Sequence, residues 1–254
     1  MIRALRSEWI KMRTIAMNWV LTIIAVVFPL VVTLITAAVR GGHADFDFRS
    51  LIDALTVTTR VSVLLLMVVA AVTITNEYGY GTIRPTFAAT PKRSHVVAAK
   101  AILVIVYAVV LQTVVVVVGV LGSQAIARGK GSVADLSSVP EAVPALVGTV
   151  VLAALASVLG LGVGMVLRST PLSVTMLIIW PLIVESIVGG VLVLLTKNDK
   201  LLGWLPFRAG FQLASIDSIG IDGGPSRVVG GIYFGLVALA ITLLGAVAVQ
   251  RRDA

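Results

Sequence analysis

Few residues in this chain are of types that carry chemistry, and the most informative group of them falls in one stretch. Asn76 to Lys100 reads NEYGYGTIRPTFAATPKRSHVVAAK and holds Glu77, Arg84, Lys92, Arg93, His95 and Lys100. Gly79 and Gly81 loosen its backbone, while Pro85 and Pro91 stop a helix from running through. Between the prolines lies the short piece Thr86-Phe87-Ala88-Ala89. A compact basic element with an apolar centre suits docking to another protein; a plain basic connecting loop is the simpler alternative. No histidine, cysteine or carboxylate stands at metal-ligand spacing from His95, and His43 with Asp45 and Asp47 reads as a solvated loop. The plentiful serines and threonines have no partnering histidine and read as back-bonded to helix carbonyls. No catalytic, metal or cofactor residue is therefore assigned. A phosphate-cradling loop reads G-x-x-x-x-G-K-[ST]. The nearest string, Gly129-Lys130-Gly131-Ser132, lacks the upstream glycine and the hydroxyl after the lysine. The chain is read as neither binding nor hydrolysing ATP, and as no enzyme.

Two polar groups interrupt apolar sequence. Glu185 follows Trp180-Pro181, and an intramembrane carboxylate costs on the order of 3 kcal/mol at mid-bilayer unless it is neutral, paired or facing water. Two readings are open: a group lining a transport path or outer gate together with Trp180, or local pairing with Arg208 or Lys200. Gln112 is a further path candidate, or more simply an interhelical hydrogen bond. Pro181 has no N–H and clashes with the carbonyl four residues back, which predicts a kink. Gly160/Gly164 and Gly231/Gly235 are spaced for close helix approach, within the subunit or at a dimer seam.

The elements that position these residues follow from composition. Of 254 residues 58% are hydrophobic and 13% charged, against roughly 25% charged in soluble domains. The apolar residues come in long blocks, and a helix needs about 20 of them to cross hydrocarbon. Membrane-barrel alternation is absent. The spacing predicts an all-α membrane protein forming one transmembrane domain over 1–254, with spans at 20–39, 57–75, 96–126, 146–167, 172–195 and 228–249. The first block exceeds the h-region of a signal peptide and is read as a retained helix. Before it, Ile2, Leu5, Trp9, Met12, Ala16 and Trp19 recur every three or four residues with Arg3, Arg6, Lys11 and Arg13 between them. That pattern predicts an amphipathic interfacial helix over 1–19. Residues 196–227 form a semi-apolar loop that is a candidate to re-enter the membrane.

The net charge is +8, with no cysteine. In this setting Lys and Arg are read as flanking spans against anionic lipid rather than binding nucleic acid. With the N-terminus inside, eleven Lys/Arg fall on the inner side and nine on the outer. That margin does not set orientation by itself.

Glu77-x-x-x-Gly81-Thr82-x-Arg84, then Pro91-x-Arg93, then Ala99-Lys100 leading into a span, resembles the cytoplasmic segment of ABC-2 type transporter permeases. Glu8-Trp9-x-Lys11-Met12-Arg13 is similar to that family's N-terminal interfacial helix. Leu161 to Thr170 resembles its hairpin between spans 4 and 5, and Gln250-Arg251-Arg252-Asp253 its C-terminal end. The resemblance implies a membrane-spanning permease subunit, most simply of an exporter, that forms the translocation path in a bacterial plasma membrane with both termini cytoplasmic. It implies a coupling helix within 76–95, carried by Glu77, Gly81, Thr82, Arg84, Pro85, Phe87, Pro91 and Arg93. Its implied partners are two copies of a separate ATPase subunit, which bind the ATP and Mg, and a second permease chain, identical or homologous. The competing readings are an ATP-independent channel or secondary transporter, and an immunity protein that sequesters a peptide.

Overall fold

The computed structural model describes residues 2–43, 47–82, 93–132, 135–216 and 224–252. The side chains of 2–4, 93, 94 and 250–252 lie outside that description. Among the described residues the chain is helical throughout, without strands.

The order is α1 (Ile2–Thr14), α2 (Ala16–Arg40), α3 (Phe48–Gly79), α4 (Arg93–Gly129), α5 (Ala142–Leu167), α6 (Thr170–Ile179), α7 (Glu185–Thr196), α8 (Pro206–Phe211) and α9 (Arg227–Arg252). Among the described residues six stretches are long and apolar enough to cross a membrane: α2, α3, α4, α5, the run 170–196 and α9. These are the six spans expected from the hydrophobic blocks. Their ends extend beyond the apolar residues because helices continue to the next capping group. Asp47 accepts the Arg49 N–H at 2.9 Å, so α3 begins at Phe48, nine residues before the apolar block.

α3 and α5 form the inner pair, with 67% and 56% of their spans buried, while the other four bury 28% or less. The exposed faces carry valine, leucine and isoleucine, as lipid contact requires. Gly160 and Gly164 make the α3–α5 seam. A Cβ at Gly160 would collide with the Met67 carbonyl, and one at Gly164 would lie 2.9 Å from that of Ala71. Both glycines therefore serve close approach inside one chain. Gly231 meets the Leu213 side chain and Gly235 that of Leu155, again within the chain.

The fifth span is broken where Pro181 predicts. α6 passes into a π-helical turn, Trp180–Val184, closed by the Glu185 N–H bonding to the Trp180 carbonyl five residues back. The proline lacks the donor that would hold the tighter turn, so the ring widens by one residue.

Beyond α7, a 3-10 turn (Asp199–Trp204), α8 and a second turn (Gln212–Ala214) fold back on the bundle. Phe207, Ala209, Gly210, Leu213 and Ala214 are buried there. This piece packs on α5 and α9 near their starts, where a Cβ on Gly148 would strike the Leu213 carbonyl and one on Gly230 that of Ala209. Arg227 fixes the same end through Glu141 at 2.9 Å and the Ser215 carbonyl at 2.8 Å.

Candidate functional site

α1 does not merge with the first span. Ile15 is extended, and the chain turns before α2. The last carbonyls of α1 are orphans by geometry. They are satisfied from the next helix: Asn18 Nδ2 donates to the Met12 carbonyl at 3.0 Å and Trp19 Nε1 to that of Arg13 at 2.7 Å. The elbow is thereby held at a fixed bend. Trp9 adds a ring contact with Tyr107 at 6.2 Å, and the Tyr107 hydroxyl shares a hydrogen bond of 2.7 Å with Thr22.

This bend delivers Glu8 and Lys11 to the end of α3 and the start of α4. Four charges close a ring there. Lys11 Nζ bonds Glu8 Oε1 at 2.9 Å and Glu77 Oε1 at 2.7 Å. Lys100 Nζ bonds the same Glu77 oxygen at 2.9 Å and also Glu8 Oε2. Its third donor reaches the Thr73 carbonyl at 3.2 Å. An ammonium has three donors, so Lys100 is fully satisfied although only 1% exposed. Glu8 and Glu77 are each 5% exposed, while Lys11 reaches solvent. Charges of alternating sign in a ring of zero net charge offset the desolvation that would make any one of them intolerable there.

Outside the membrane spans, Lys11 feels burial, which lowers its pKa, and hydrogen bonds to Glu77 and Glu8, which raise it; the balance holds it above its ordinary value of 10.5.

The opposite side of the same α3 turn is gripped by the α5–α6 hairpin. Thr170 Oγ1 lies 2.9 Å from Thr75 Oγ1 and 3.3 Å from Asn76 Oδ1. Arg168 ends α5 in the left-handed region with φ 55°. Its guanidinium lies 5.0 Å from the Tyr78 ring centre and donates to the Ala248 carbonyl of α9 at 2.9 Å. One helical turn, Thr75–Tyr78, is thus tied to α1, α4, α6 and α9 together.

The family model described as ABC-2 family transporter protein matches residues 4–184, a span that contains the whole ring. The chain belongs to the ABC-2 transporter family. Neither a curated protein nor a solved structure matches it. It is accordingly a multi-pass membrane permease of an ABC transporter, the transmembrane component and not itself the ATPase.

In this permease α3 ends at Gly79, shortly after Glu77, and α4 begins at Arg93, two turns before Lys100, so the ion pair clamps the two helices on the span side of the segment that joins them. Glu77 is inside that clamp and not on its outer surface. Gly81 (φ 66°) and Thr82 are exposed in the turn that follows α3. Arg84, Pro85, Phe87 and Pro91 lie outside the described residues, as does the Arg93 side chain.

Of the candidates for the path, Trp180 and Glu185 share the π-helical turn of the fifth span, while Gln112 lies on α4. Glu185 is 3% exposed at the start of α7; its Oε1 accepts the backbone N–H groups of Phe207 at 2.9 Å and Arg208 at 3.2 Å. It caps α8, using the Arg208 main chain where sequence reasoning offered that residue's side chain. Gln112 is fully buried, and neither amide atom has a partner among the described residues, so the expected interhelical hydrogen bond is not made among them. Trp180 is partly exposed on the π-helical turn. Arg60, counted from sequence among outer flanking charges, is half-buried within α3, with its guanidinium 5.5 Å from the Phe211 ring centre. Glu8, Lys11 and Lys100 stood in the motifs that carry the family resemblance, but their pairing with Glu77 was not read from the sequence; Glu8–Lys11, three apart on a basic helix, was the available signal.

Proposed function

We propose that this permease forms the translocation path of an exporter and is driven by a separate ATPase subunit docked on the segment within 76–95. The observation that carries this reading is the buried ring of Glu8, Lys11, Glu77 and Lys100 on the span side of that segment. A docking loop transmits force only if its base is rigid. Here the base is joined by charge-assisted bonds to the interfacial helix and to two spans, so a push on the loop moves them as one body. In this reading Glu77 acts as a positioning residue within the base. Gly81, Thr82, Arg84, Pro85, Phe87, Pro91 and Arg93 supply the docking surface.

The family resemblance supports two permease chains with two ATPase chains, ATP and Mg bound by the latter. It also supports a plasma-membrane location with both termini and the 76–95 segment cytoplasmic, which puts 199–216 at the outer face. ATP would close the ATPase pair and rock the permease helices.

The test is recovery of the tagged chain from its native membrane in gentle detergent, with mass spectrometry and an ATPase assay. A P-loop ATPase in comparable amount, lost on Arg84→Ala and Phe87→Ala, supports the reading. Recovery of the permease alone, without nucleotide hydrolysis in several detergents, overturns it.

A further inference from the structure

The elbow between α1 and α2 encloses a small polar recess. It is lined by Trp9, Met12 and Arg13 of α1, Asn18 and Trp19 of α2, and Tyr107 of α4. Its free space of about 20 Å³ admits one water-sized group. Asn18 is 2% exposed. Its Nδ2 donates to the Met12 carbonyl, which fixes the orientation of the amide and leaves Oδ1 buried without a partner among the described residues. An unpaired buried acceptor is costly, so a donor belongs beside it. The neighbouring side chains are already engaged: Trp19 Nε1 is spent on the Arg13 carbonyl, and the Tyr107 hydroxyl is bonded to Thr22.

The surroundings select the donor. The rings of Trp9 and Tyr107, inclined at 60° with centres 6.2 Å apart, form two walls and Trp19 a third, and aromatic faces attract a cation. Arg13 is exposed and makes no ion pair among the described residues, so an anion is wanted next to that cation. The complement is a zwitterion with N–H donors at its positive end. Water would satisfy Oδ1 but use neither the rings nor Arg13. A quaternary ammonium would suit the rings but has no N–H, and a phosphoglycerol brings hydroxyls and an anion but no cation. The recess lies where the first span begins, the level of phospholipid headgroups. We propose that it binds the headgroup of a phosphatidylethanolamine. The ammonium donates to Asn18 Oδ1 among Trp9, Trp19 and Tyr107, and the phosphate pairs with Arg13. Such a ligand touches α1, α2 and α4 together, so occupancy braces the elbow that delivers Glu8 and Lys11 to the ionic ring.

The experiment titrates the full chain in detergent with one lipid at a time and counts bound lipids by native mass spectrometry. The lipids are phosphatidylethanolamine, its N,N-dimethyl form, phosphatidylcholine and phosphatidylglycerol, all with the same acyl chains. The first two keep an N–H and should bind about tenfold more tightly than phosphatidylcholine, the factor that one charge-assisted hydrogen bond supplies. Both should also outbind phosphatidylglycerol. Arg13→Gln should weaken phosphatidylethanolamine and phosphatidylglycerol alike, whereas Trp9→Leu should weaken phosphatidylethanolamine alone. Asn18→Leu should abolish the preference over phosphatidylcholine. Should that variant fail to insert, Trp9→Leu and Arg13→Gln carry the test, since both side chains are exposed. Equal affinity for phosphatidylethanolamine and phosphatidylcholine would mean that the recess holds an ordered water only, and overturns the site. So does phosphatidylglycerol binding as tightly as phosphatidylethanolamine, or a preference indifferent to all three variants. Efficient disulfide cross-linking of Met17→Cys between two copies in the native membrane overturns it as well, because the elbow would then be covered by protein.

Discussion

Lys100 Nζ and Glu77 Oε1 meet at 2.9 Å across 23 residues of chain, with the lysine 1% exposed. Each flanks the segment that joins spans 2 and 3, and each also bonds a residue of α1. The pair joins α3 to α4 and anchors both to α1 in one step.

Removing a single member of a buried ion pair strands its partner's charge at a cost of about 3–5 kcal/mol. Lys100→Met leaves Glu8 and Glu77 with Lys11 alone and should lower the melting temperature of the purified permease and its level in the membrane. The double variant Lys100→Met/Glu77→Gln should recover a large part of the loss. A double variant as unstable as the sum of its singles would show that the two residues act independently.

Lys11 gives a pH-dependent signature. Its pKa is held above 10.5, so its contribution is fully present below that value and is lost as pH rises through the higher folded-state value. Lys11→Arg keeps its charge throughout. Proteolytic release of α1 should therefore be similar for the two proteins up to about pH 10, with the wild type becoming the more susceptible only above 10.5. Superimposable profiles across the whole range would remove Lys11 from the ring.

Glu185 separates capping from charge. Gln offers a carbonyl oxygen to the Phe207 and Arg208 N–H groups, whereas Leu offers none. Glu185→Leu should cost about 1–3 kcal/mol for unsatisfied donors and expose 199–216 to protease, with Glu185→Gln close to wild type. Equal damage from both would mean that the negative charge itself is required.

The α3–α5 seam has no room at Gly160, where a Cβ meets the Met67 carbonyl, and open space at Gly190. Gly160→Ala should destabilise by about 1–3 kcal/mol through overpacking, while Gly190→Ala should melt with the wild type. The paired melting curves check this directly, and a tolerated Gly160→Ala would mean the seam is looser than the geometry states.

The number of spans and the break at Pro181 were legible in the sequence because each depends on neighbours along one helix. Apolar block length sets a crossing and a missing N–H widens a turn. The single helix expected over 1–19 instead breaks at Ile15, which places Ala16 and Trp19 on α2. The partners of the buried charges were not legible. Glu8, Glu77 and Lys100 come from three helices, and only the Ile15 elbow and the meeting of α1 with α3 and α4 decide that they form a ring. Glu185 shows the same division: its type in an apolar span demanded a partner, but the identity of that partner depended on α8 folding back to present its first N–H groups. Local composition fixes what a segment must be, and the choice among equally charged or equally apolar neighbours is left to the packing that brings distant segments within bonding range.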